Sequence, residues 1–239
     1  MFDLGRGLKL HTSMSFRATI LWRTCPLVLF LGLVASSAVF GQAKDSPVAF
    51  ANEGAVTTSL LAAPTVASQD PNAVPPSGEP GQWLKVEFHF GTTSVVTDAY
   101  PYLDEVQFKV WIEGRDMLAK DAPVPGKGVA VALTGSVTYV NVPMGKDLYG
   151  VFYVPPSALK RYSSDRGPTD FDEKFDVHVE AYIGGTVVDA VNKNKEADVL
   201  GWFKPLKPVA GVVYRKDQCP FIMSDPDRYP TIKLPDQSQ

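Results

Sequence analysis

Residues 174–191 read KFDVHVEAYIGGTVVDAV. Val177, Val179, Ala181 and Ile183 alternate with His178, Glu180 and Tyr182, and Gly184-Gly185 then intervenes before Thr186–Val191 returns. Period-two alternation marks a strand that buries one face, and a Gly-Gly link supplies the left-handed backbone of a tight hairpin. The segment reads as a β-hairpin, and the same texture recurs upstream.

In WLKVEFHF (83–90), Leu84, Val86, Phe88 and Phe90 share one face, with Lys85, Glu87 and His89 on the other. EVQFKVWIEG (105–114) places Val106, Phe108, Val110 and Ile112 inward. GVAVALTGSVTYVNV (128–142) is one long strand, or two broken near Gly135, and further strands are expected at Val199–Phe203 and Val209–Tyr214. The one helical candidate is ALKRY after Pro155-Pro156, with Ser157 as its cap. Many short alternating strands joined by short loops predict an all-β domain, an antiparallel sandwich or barrel, over residues 82–215.

Before that domain, Arg6, Lys9, Arg17 and Arg23 precede an apolar run, Pro26–Phe40, and a small-residue exit, Gly41–Ala43. These are the parts of a secretory signal peptide spanning residues 1–43; the alternative is an uncleaved anchor. Residues 44–81 contain six prolines and one aromatic, and they read as a disordered linker. Residues 216–239, Pro-rich but interleaved with Phe221, Ile222 and Tyr229, read as an extended C-terminal tail lying across the sandwich or reaching a neighbour.

Cleavage after Ala43 removes four basic residues and one acid, leaving a mildly acidic exported chain with no stable membrane span. Such a chain is a poor partner for nucleic acid. Its only remaining cysteine, Cys219, is expected as a buried thiol, the alternative being a bond between chains.

Chemistry-bearing motifs are scarce. The chain has no phosphate-binding G-x-x-x-x-G-K-[ST], no G-x-S-x-G and no H-E-x-x-H. Asp176, His178 and Glu180 share a strand face and read as solvated; the carboxylates of Asp165–Asp176 read as a solvated loop, not a calcium site or a glycosidase pair. The expectation is a non-enzyme with no cofactor, no metal and no catalytic residue. Trp111, on the polar face of its strand, with Tyr100 and Tyr102, is a candidate platform for a carbohydrate-binding module or adhesin; the commoner use of such rings is packing.

In PMGKDLYGVFYVPPSALKRY (143–162), Leu148, Gly150, Phe152 and Val154 alternate with Tyr149, Val151 and Tyr153, so neither face is polar. A strand apolar on both sides needs cover on both. Tyr149, Val151 and Tyr153 become a candidate contact surface, unless the ALKRY turn or the Pro-rich tail folds over them.

The block VTYVNVPMGKDLYGVFYVPPSALKRY, with GQWLKVEFHF and YLDEVQFKVWIEG upstream, resembles a family of pilus-associated, pilin-like proteins of Verrucomicrobia. They are encoded beside type IV pilus genes and typified by one from Akkermansia. The resemblance covers residues 81–215. It implies an immunoglobulin-like β-sandwich and a non-enzymatic role in a surface appendage or its assembly, with other pilus or cell-envelope proteins, or a second copy, as partners. The chain departs from a true type IV pilin in one respect. A pilin keeps its apolar segment after processing, whereas here that segment precedes the expected cut, which implies an accessory role rather than a major filament subunit.

Overall fold

Gly184 and Gly185 take φ values of 56° and 81°, the left-handed pair that closes a two-residue hairpin between β7 (Val177–Ile183) and β8 (Thr186–Asn192). The computed structural model describes residues 46–51, 54–64, 81–93, 101–122, 127–163, 171, 175–194 and 201–234. All of them belong to one unit, Phe40–Gln239. The expected signal peptide lies outside the described residues.

Two sheets face each other. The first contains β1 (Val48–Phe50), β2 (Val56–Ala62), β3 (Gln82–Thr92) and β6 (Gly145–Val154), with β1 and β2 end to end along one side of β3 and β6 along the other. The second runs β5-β4-β7-β8, where β4 is Tyr102–Asp116 and β5 is Val129–Pro143. The free edge of β5 takes two short strands, β9 (Lys207–Val209) in parallel and β10 (Thr231–Ile232) antiparallel. The architecture is an antiparallel β-sandwich, as the alternation predicts.

The core is the inward half of each alternating strand. Leu84, Val86, Phe88 and Phe90 of β3 and Val106, Phe108, Val110 and Ile112 of β4 are all fully buried. Phe108 lies 4.7 Å from Phe88 and 4.8 Å from Phe90 between ring centroids, and Phe50 adds an edge contact to Phe88 and Phe108. Helix α1 (Pro156–Tyr162) starts with Pro156 in its first turn, where a missing N–H costs nothing, and buries Ala158, Leu159 and Tyr162. Its N-cap is Pro155, so Ser157 is not the cap that the sequence suggests.

Three other expectations change, and one pair of alternatives is decided. The span read as linker contains β1 and β2; β1 has three residues and β2 is rich in Thr, Ser and Ala without a clean alternation, but Val48, Phe50 and Val56 point into the core and the backbones pair with β3. Of the two readings of residues 128–142, the single long strand forms: β5 is unbroken at Gly135, whose Cα is packed by the side chain of Val213. No strand forms at 201–203, which is a turn, and Val209–Tyr214 yields only the end of β9 and one bridge from Tyr214 to Tyr153. The domain extends past residue 215, because β10 is part of the second sheet.

Candidate contact surfaces

The C-terminal segment is a strap. From Gly201 it crosses the outer face of the second sheet, follows the edge of β5 as β9, and bridges β6 at Tyr214. It then covers the outer face of the first sheet and returns to β5 as β10. It lies across the sandwich, the first of the two placements expected of the Pro-rich tail.

Over the first sheet, Val151 and Tyr153 are buried with Cys219 and Phe221, and Trp83, Tyr214 and Tyr229 pack around them. Phe221 stacks on Tyr153 at 4.8 Å with 6° between the planes, and meets Trp83 edge-on at 5.8 Å. Tyr149 lies under the Arg228 guanidinium, 4.1 Å from the ring centroid, with His89 stacked on it at 4.7 Å. The surface expected from Tyr149, Val151 and Tyr153 is thus covered by the chain's own strap. Cys219 is buried and free, and burial pushes its thiol pKa up.

One carboxylate ties the strap down. Glu87 accepts from Arg228 Nε (2.9 Å) and Nη2 (3.1 Å) and from Tyr229 Oη (2.5 Å), and pairs with Lys85 Nζ at 2.9 Å. Burial alone would raise its pKa, but the hydrogen bonds from Arg228, Lys85 and Tyr229 prevail and hold it at about 2. Lys216, buried nearby with its pKa lowered by desolvation, donates to the Asp225 carbonyl at 3.0 Å.

The edge of β6 is closed as well. The buried Tyr139 hydroxyl, reaching across from β5, accepts the Val151 N–H at 3.2 Å, and Tyr153 and Tyr214 exchange backbone bonds of 2.9 and 2.7 Å. On the opposite side of the sandwich, Asp189 of β8 accepts the Phe50 N–H at 2.7 Å.

Over the second sheet, Phe203 stacks on Trp111 at 4.4 Å and on His178 at 4.6 Å. His178 is only 2% exposed; its ring nitrogens meet Asn192 Oδ1 at 2.7 Å and Glu180 Oε1 at 3.3 Å. The face read as solvated is therefore roofed at His178. Trp111 is half-buried beneath Phe203, and Tyr102, 48% exposed, sits nine residues along β4, about 30 Å away. The two form no common platform, and Tyr100 lies outside the described residues. So does most of Asp165–Asp176; among the described residues no group of three or more His, Cys, Asp or Glu side chains gathers as a metal site would. No described helix is long and apolar enough to cross a membrane.

Two features escaped the sequence reading. Ile222 and Met223, 51% and 85% exposed, form an apolar tip on the strap. A groove of about 810 Å³ opens between the outer face of the second sheet and the strap, walled by Lys109, Trp111, Thr134, Ser136, Tyr214 and Arg215 among others. The tip was legible as FIM in a Pro-rich stretch; the groove exists only once the strap crosses β5.

The fold is similar to a crystal structure of a protein from Akkermansia muciniphila, with a TM-score of 0.61 and 23% identity over 79% of this chain and 93% of that one. No curated protein matches the sequence. A family model matches residues 51–236, well over half of the chain and inclusive of the strap. The chain belongs to the family of pilus-associated, pilin-like proteins typified by the one from Akkermansia.

Proposed function

We propose that the protein is an exported, non-enzymatic component or accessory of a type IV pilus-like appendage, acting through protein–protein contacts in the periplasm or at the cell surface. Family membership supports the setting. The observation that carries the mode of action is the strap: it roofs Tyr153 and His178 on opposite outer faces and closes the β6 edge. A sandwich sealed in this way supports a role carried by its outer surface. Its partners are other pilus or envelope proteins, or a second copy. Nucleic acid is disfavoured by the acidic balance.

The test follows an epitope-tagged chain in its native host. It should lose its N-terminal apolar segment, become protease-accessible on whole or osmotically shocked cells, and co-purify with sheared appendages. A chain that keeps its N-terminus and stays in the cytoplasm overturns the proposal.

A further inference from the structure

The expected cut after Ala43 lies close to folded chain. Only Lys44 and Asp45 separate it from Ser46, and from Ser46 onward the backbone is committed to the sandwich. Ser46 Oγ lies within hydrogen-bond reach of the Val48 and Val188 carbonyls, at 2.5 and 3.2 Å, and the Ser46 carbonyl accepts from Thr93 Oγ1 at 3.1 Å. The Thr93 N–H donates to the Pro47 carbonyl at 3.0 Å. Val48 is fully buried opposite Thr92. Phe50 packs edge-on against Phe88 and Phe108, and its N–H goes to Asp189 at 2.7 Å. Strand β1 and the two residues before it are thus held by β3 on one side and β8 on the other.

A peptidase takes its substrate as an extended strand, with residues on both sides of the scissile bond laid along its own cleft. Two residues span about 7 Å at most. The far side of that cleft must therefore take up Ser46 and Pro47, whose carbonyls are already bound to Thr93. The same backbone groups cannot serve the enzyme and the sandwich at once. Freeing them from a folded chain requires local opening, and here that opening draws Val48 and Phe50 out of the core.

The topology leaves an interval in which the junction is open. Thr93 follows Ser46 by 47 residues, and Asp189 follows Phe50 by 139. At the usual pace of synthesis, Thr93 appears roughly 2–10 s after Ser46, and β8 roughly 7–30 s after β1. Until then β1 has neither of its partners.

We propose that the cut at Ala43 precedes the docking of β1, and that docking closes the junction to the peptidase. A chain that folds first keeps its apolar segment, so the order of the two steps decides between released and tethered protein. The inference rests on the cleaved-export reading above and adds an order of events to it.

The full-length precursor, purified in detergent, tests it with membranes of the native host as the source of the peptidase. Two variants open the junction by different routes. Val48→Asp puts a charge at a fully buried site and undocks β1. A flexible Gly-Ser spacer of about ten residues between Asp45 and Ser46 leaves β1 docked and carries the junction clear of it. The folded wild-type precursor should be cut at least tenfold more slowly than either variant. Tryptophan emission should be the same for the wild-type and spacer precursors, so that a difference in rate is not a difference in fold. A folded wild type cut as fast as the spacer variant overturns the order and leaves the export reading intact. Spacer and Val48→Asp precursors that both stay uncut overturn the export reading, and the inference with it.

Discussion

Phe88 lies so close to Gly150 that a β-carbon on the glycine would fall 2.0 Å from the ring's Cζ. The two face each other in the β3–β6 register, and the ring fills the place where a side chain would stand. Gly150 is therefore a packing residue, and its backbone φ is not in the left-handed region. Gly150→Ala should destabilise the domain by about 3 kcal/mol or more, at the upper end of overpacking penalties, read as a fall in the urea midpoint. Phe88→Leu in the same chain should recover part of the loss. If Gly150→Ala melts like the wild type, this contact does not describe the folded protein.

The strap makes a second prediction. Phe221 is nearly fully buried between Tyr153 and Trp83, so Phe221→Ala should cost about 3–5 kcal/mol, as core truncations of phenylalanine do. Its signature should be local as well as global. Trp83 would lose its cover, and tryptophan emission should shift to the red before the main transition. A truncation before Tyr214 should go further and leave a domain that aggregates, because Val151 and Tyr153 would face solvent.

The inner half of the sandwich was legible because burial on one face writes a period of two into the strand that carries it. Leu84 to Phe90 and Val106 to Ile112 need no partner to be read. The doubly apolar strand around Tyr149, Val151 and Tyr153 announced that a second cover was needed, and the Pro-rich tail was among the candidates for it. What the sequence could not show was the roof over the polar faces. Trp111 and His178 alternate with core residues and look outward, and only the arrival of Phe203 from a distant turn changes their environment. Strands β1 and β2 were missed for a related reason. Three residues in one and seven in the other, set among Ala, Ser and Thr, gain their order from the edge of β3 and not from their own propensity.

Tyr139 makes a third prediction. Its buried hydroxyl is the partner of the Val151 N–H, which faces away from β3 at the sandwich's side. Burial drives the phenol pKa far above its ordinary value, so the hydroxyl stays protonated across the working range. Tyr139→Phe should preserve the packing and leave a buried N–H unpaired, costing about 1–3 kcal/mol. Hydrogen exchange is the specific readout: the Val151 amide should lose protection while the β4–β7 amides exchange as before. Equal protection in both proteins would show that another acceptor serves Val151.

The Glu87 network makes the fourth, as a dependence on pH. In the unfolded chain this carboxyl titrates near 4.5, and in the folded protein it is held at about 2. A depressed acid contributes stability that is complete above the unfolded value and is lost as the pH falls toward the folded one. The window is therefore pH 4.5 down to 2. The contribution should be about 1–2 kcal/mol, less than the full shift implies because the Arg228 side chain is partly in solvent, where water screens the pair. Urea midpoints measured between pH 2 and 7 should fall through this window in the wild type. Glu87→Gln removes the titration, so its curve should start lower at pH 7 and run flatter below 4.5. Because salt screens the pairs of Glu87 with Arg228 and Lys85, the difference should shrink in high salt. Parallel pH curves for the two proteins would show that Glu87 does not anchor the strap.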